Sequence, residues 1–210
     1  MAIRVSQVLD YFSEPYLVKW KLGNKDWQKV SEEALRVGTL VDKMVQDSIN
    51  GVGYEVVGGT PEAKAMDAWQ KFREDRPDVI ERMAKHKSNM QRELVLGDLV
   101  GHPDFILDNE VIDLKTSKQV SKSHWMQTAQ YYHMANLQTR GTGCDDISMI
   151  GAKISILRLD KLTGEYEYKT LEEPFISFWQ RKFQARYEAF CEDSEWAEIE
   201  RKRLSKEVLG

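Results

Sequence analysis

The sequence is poor in several of the residues from which common sites are built. It has 2 cysteines and 4 histidines in 210 residues. Two isolated cysteines, Cys144 and Cys191, exclude a disulfide framework and a four-cysteine zinc or Fe–S site, and they suit a reducing compartment. None of the histidines has a spacing partner that would suggest a zinc site. No apolar run approaches the ~18 residues needed to cross a bilayer, so no membrane contact is expected. The opening Met1–Phe12 lacks an apolar core followed by a small-residue cleavage site, so the expectation is a cytoplasmic protein. There are only 5 prolines and no repeat or low-complexity tract.

What is present is ordinary for a globular protein: 41% hydrophobic and 30% charged residues. The length suits a single domain over 1–210. The net charge of −4 speaks against a protein that passively coats nucleic acid, though acidic helices can lower the total while a local basic groove survives.

Residues 1–90 read as a helical N-terminal part. Residues 5–20 suggest a short helix ending near Ser13-Glu14-Pro15, followed by a second amphipathic piece. Residues 31–49 read as a helix opened by Ser31, with Leu35, Leu40, Met44, Val45 and Ile49 as its apolar stripe. Thr60-Pro61 gives an N-cap and a proline at the first helical position for a helix to about Asp75, resuming after Pro77. Trp69 and Phe72 on it are core candidates. Residues 91–172 read as the sheet core, with strands at 92–96, 99–107 and 110–116. A helix over 124–138 follows, then a hairpin around Lys161-Leu162-Thr163-Gly164. Residues 173–210 read as a C-terminal helix with aromatics at helical spacing. The order implies an α/β fold with a central mixed sheet flanked by helices.

The informative stretch is 101–117, "GHPDFILDNEVIDLKTS". Asp108-Asn109 is a turn signal between two strand-like runs. A two-residue loop pairs Leu107 with Glu110 and so sets Asp104 opposite Asp113; a four-residue loop keeps that register, and a three- or five-residue loop would shift it. Directly opposed residues have Cβ atoms roughly 4.5–5.5 Å apart, where like charges repel. Alternation puts Asp113 and Lys115 on one face, and Ile112 and Leu114 on the other. Two carboxylates that close require a cation or a shared proton. Lys115 is one partner, and a hard divalent metal bound by oxygen is another. Farther on, Gln127 and Tyr131 are four apart and share a helix face. The loop before them carries Lys118 and Lys122.

The ordered set Asp104, Asp113-Leu114-Lys115 and Gln127-x-x-x-Tyr131 resembles the PD-(D/E)XK nuclease superfamily, most closely its RecB-type branch. Pro103-Asp104 matches the motif literally, and "IDLKTS" is close to the family's Asp-Tyr-Lys-Thr-Ser run. The resemblance covers residues 93–132, with weaker likeness from about residue 30 and near 154–171. It implies a restriction-endonuclease-like core and a Mg²⁺- or Mn²⁺-dependent deoxyribonuclease, more an exonuclease on DNA ends or single strands than an endonuclease. It implies metal held by Asp104, Asp113 and the Leu114 carbonyl, and catalysis by Asp104, Asp113, Lys115, Gln127 and Tyr131. Lys118 and Lys122 would contact DNA phosphates. The implied setting is recombination, repair or phage DNA processing, in a bacterial or phage-infected cell, with a recombinase, helicase or single-strand-binding partner. The sequence departs from the branch at Gly38-x-x-x-Asp42, where a metal-binding histidine is usual; Asp42 is a substitute ligand or a solvated helix residue. The branch's Fe–S cysteines are missing, so no cluster is expected. Glu93 is a further acidic candidate. The competing reading is an inactive nuclease fold that binds DNA or protein.

Overall fold

Local sequence explains most of the elements of this computed structural model, which describes residues 2–12, 15–142 and 151–209. Cys144 lies outside them. The chain opens with β1 (Ile3–Arg4), α1 (Val5–Tyr11), α2 (Pro15–Gly23) and α3 (Trp27–Ile49). The helices α4 (Pro61–Asp75) and α5 (Pro77–Lys85) follow, with a short 3₁₀ turn at Lys87–Asn89. Thr60 Oγ1 accepts the Ala63 amide at 3.2 Å, as the cap signal implies, and Pro61 takes the first turn, where its missing N–H costs nothing. Pro77 forces the break between α4 and α5 in the same way.

α3 departs from expectation. It begins at Trp27, so Ser31 is interior to the helix and not its cap. Its buried stripe is Val37, Val41, Met44 and Val45, whereas Leu35 and Leu40 are exposed. Both sets fit helical spacing, and packing against α4 selects the valines.

The strands form two mixed sheets and not one central sheet. The smaller has β2 (Leu94–Leu96) antiparallel to β3 (Leu99–Gly101), with β1 added parallel to β3. The larger runs β4 (Phe105–Ile106), β5 (Glu110–Lys115), β6 (Lys153–Leu159) and β7 (Tyr166–Glu172) in that order. The expected single strand over 99–107 is therefore two strands in different sheets. Pro103 stands at the break, where it has no amide hydrogen to give to a ladder. β5 and β6 are parallel and joined by α6 (Lys122–Thr142), while β6 and β7 form the expected hairpin with Gly164 at φ 73°. α7 (Phe175–Leu209) closes the chain.

Helices cover both faces of the larger sheet. Val111 and Ile154 pack under α1, α6 and α7 with Met126, Tyr132 and Phe183. Ile112, Leu114, Leu157 and Leu159 pack against α3, α4 and α5 with Val41, Trp69, Phe72 and Met83. Trp69 and Phe72 are fully buried. Of the C-terminal aromatics, Phe183 and Phe190 are core while Phe175 and Phe178 stay exposed. Among the described residues no helix is long and apolar enough to cross a membrane.

Candidate functional site

The hairpin β4–β5 has the register its turn dictates. Phe105 pairs with Ile112, Ile106 with Val111, and the Leu107 amide donates to the Glu110 carbonyl at 2.8 Å. One step beyond the ladder, this register sets Asp104 across from Asp113. Asp104 Oδ2 accepts the Leu114 amide at 2.6 Å, and its other oxygen accepts from the Gln91 side chain. Asp113 is buried, and its Oδ2 lies 2.8 Å from the Lys115 ammonium. That ion pair is the one contact to Oδ2 among the described residues.

Asp42, half-buried on α3, belongs to the same electrostatic group. Gly38, one turn earlier, brings α3 against the end of β5, where a Cβ would sit 3.5 Å from Thr116 Oγ1. Burial pushes the Asp42 carboxyl up to about 6, with Lys115 pulling it down and Asp113 pushing it further up. Asp104 is raised well above the ordinary range by burial and by the charges of Asp113 and Asp42. Asp113 is raised by burial against the pull of Lys115. Burial alone would depress Lys115, but Asp113 and Asp104 hold it above its ordinary value. Three carboxylates thus face one ammonium, a cluster short of positive charge.

α6 supplies the other wall. Gln127 Nε2 donates to the Tyr131 hydroxyl at 2.9 Å, so the two form one polar unit on one helix face. Burial and the Asp113 charge push the Tyr131 hydroxyl up to about 12, which keeps it protonated and able to donate. Its ring lies so close to β3 that a Cβ at Gly101 would stand 2.5 Å from Cε1, so Gly101 is required by the close approach.

Asp104, Asp113, Leu114, Lys115, Asp42 and Tyr131 thus converge, with Gln127 bonded to Tyr131. Lys118 and Lys122 are exposed beside the entrance to α6. Glu93 does not join the cluster; it pairs with His102 at the surface at 3.4 Å. Among the described residues, no three His, Cys, Asp or Glu side chains stand arranged to hold a metal ion. Asp104 is turned toward Leu114 and Gln91, and Asp113 toward Lys115.

Three neighbours have no sequence motif to announce them. Gln91, at φ 50°, bonds Asp104 through its side chain and, through its amide, the Asp104 carbonyl at 3.3 Å. His124 stands one turn before Gln127, and its Nδ1 accepts the Ser121 amide at 3.2 Å. Burial, with help from Lys115, pushes its imidazole down to about 3, so it is neutral with its proton on Nε2. Asp10 on α1 is raised by burial, against the pull of Lys21 and Lys115. His124 shares a helix face with Gln127, three residues on, whereas Gln91 and Asp10 lie outside that helix.

At the other end of β5, Glu110 is as buried as Asp113 but fully partnered. Arg82 donates to it at 2.8 Å and the Tyr168 hydroxyl at 2.5 Å, and Ser155 adds a third bond. That acid is structural, and the contrast isolates the 104–115 cluster as the underbalanced one.

No protein-family model matches the chain, and no curated protein matches it. Several solved structures show a faint likeness, two of them as follows. One, a candidate exonuclease from Eubacterium rectale, is 11% identical over 71% of this chain and 64% of its own, with TM-score 0.35. The other, SSO0001, is 14% identical over 70% of this chain and 84% of its own, with TM-score 0.26. The chain thus spans under two thirds of the first structure's length. Neither likeness is strong enough to speak of activity.

Proposed function

We propose that this chain is a divalent-metal-dependent deoxyribonuclease of the PD-(D/E)XK class, related to its RecB-type branch, acting as an exonuclease on DNA ends or single strands. The observation that carries the reading is the β4–β5 register, which gathers Asp104, Asp113 and Lys115 where packing alone would favour apolar residues.

The chemistry of the donor set, though not its present arrangement, suits a hard cation. The carboxylates outnumber the ammonium, all offered atoms are oxygen, and the buried Asp113 Oδ2 has only the Lys115 ammonium beside it. Asp104, Asp113 and the Leu114 carbonyl would hold Mg²⁺ or Mn²⁺, with Asp42 as the further carboxylate. Such an ion supplies charge neutralisation and a more acidic bound water. Lys115, kept protonated, places a positive charge where charge builds on the scissile phosphate oxygens. The Tyr131 hydroxyl, oriented by Gln127, donates a hydrogen bond to a phosphate oxygen or to the attacking water. Lys118 and Lys122 bind backbone phosphates, which makes affinity fall with salt.

The engaged oxygens of Asp104 favour a second reading, a nuclease fold that binds DNA without cutting it. One experiment separates the two. Wild type and Lys115→Gln are compared on 5′- and 3′-labelled single- and double-stranded DNA with Mg²⁺, Mn²⁺ or EDTA. Metal-dependent release of nucleotides, lost in the variant, supports the nuclease and gives its polarity. Equal DNA binding by both proteins without cleavage supports the binding module.

A further inference from the structure

α2 is an anomaly of the fold. Among its described side chains, none enters either hydrophobic core. Yet Val18, Trp20 and Leu22 stand 43%, 38% and 85% exposed on a helix of nine residues. They point in different directions around the axis: Val18 and Leu22 share a face, and Trp20 lies opposite. A partner helix or groove would require a single apolar stripe at i, i+3, i+4 and i+7, which α2 lacks.

Its charge runs against that of the chain. Residues 16–30 hold Lys19, Lys21, Lys25 and Lys29 against Asp26 alone, a local +3 in a protein of net −4. Lys19, Lys25 and Lys29 are exposed, and the Lys21 ammonium sits 5.0 Å above the Trp27 ring. Aromatic and basic residues therefore alternate along one surface segment. An exposed indole flanked by ammonium groups stacks an unpaired base and neutralises its phosphate, whereas a duplex hides its base faces.

The segment is linked to the carboxylate cluster through the charge of one residue. Asp10, on the helix before it, lies close enough to both Lys21 and Lys115 to be influenced by each.

We infer that the exposed Trp20 and the lysines of α2 and the start of α3 form a stacking and phosphate-binding surface for single-stranded DNA. The inference rests on the nuclease reading for its purpose, but its binding component is tested separately. Fluorescein-labelled oligo-dT is titrated with the full-length protein in EDTA and followed by anisotropy at several salt concentrations. Trp20→Ala should weaken binding about tenfold, within the range for loss of one base stack. Lys19→Ala with Lys21→Ala should reduce the log–log salt slope by about 1, as loss of one or two phosphate contacts requires. A duplex of equal length should bind Trp20→Ala as it binds wild type. Melting temperatures should be unchanged, since the substituted residues lie outside both cores. Unchanged oligo-dT affinity and salt slope in both variants would overturn the inference, even if wild type degrades DNA. Weakened binding in a protein that cuts no DNA would sustain the surface and remove the nuclease reading instead.

Discussion

Asp42→Asn should stabilise this protein at neutral pH in the absence of metal. The Asp42 carboxyl is pushed up to about 6 by burial and by Asp113, against an ordinary value of 3.8. A carboxyl raised on folding binds its proton more tightly in the folded state than in the unfolded one. The stability it contributes is complete below 3.8 and is lost as pH rises through about 6. The cost of the ionised group therefore reaches about 3 kcal/mol at pH 7.5 and about 1 kcal/mol at pH 4.5. Asparagine keeps the shape and carries no charge. In a protein of this size that is a rise in Tm of up to about 10 °C at pH 7.5. The assay is thermal unfolding by circular dichroism at both pH values in EDTA. Adding Mg²⁺ should narrow the gap by stabilising wild type more than the variant. A variant no more stable than wild type at pH 7.5, or a gap equal at both pH values, would refute the reasoning.

Three further perturbations test other parts of the site. Gly101→Ala forces the Tyr131 ring off β3 and should cost about 1–3 kcal/mol by thermal melting, with partial recovery on adding Tyr131→Ala. His124 is held well below its ordinary 6.5, so the stability it contributes is present above 6.5 and lost as pH falls toward 3. His124→Asn should therefore flatten the decline of stability between pH 6.5 and pH 4 in urea unfolding. Lys115→Met leaves Asp113 and Asp104 without their ammonium and should cost about 3–5 kcal/mol at pH 7.5 in the same assay. The loss should shrink as pH falls and the raised carboxyls take up protons.

The parts of this fold governed by short-range rules were legible. Asp108-Asn109 fixed the hairpin register, and Thr60-Pro61 fixed the start of α4, because both signals act within a few residues. The stripe of α3 was misread because Leu35 and Leu40 are as helical in their spacing as Val37 and Val41. Only the approach of α4 decides between the two sets. Residues 99–107 looked like one strand because their apolar pattern is continuous, yet Pro103 cannot serve a ladder and the chain passes from one sheet to the other there. Around the candidate site, the motif residues were legible because the hairpin and α6 place them by local geometry. Gln91 and Asp10 arrive from distant elements, and no spacing could have announced them.

The central claim is that the Asp104–Asp113 cluster is a metal site. Calorimetric titration with Mn²⁺ in two buffers of different ionisation enthalpy tests it directly. Wild type should show saturable binding with proton release, because metal displaces protons from the raised carboxyl of Asp104, and Asp113→Asn should abolish it. Absence of saturable binding, or binding unchanged in Asp113→Asn, would contradict the account.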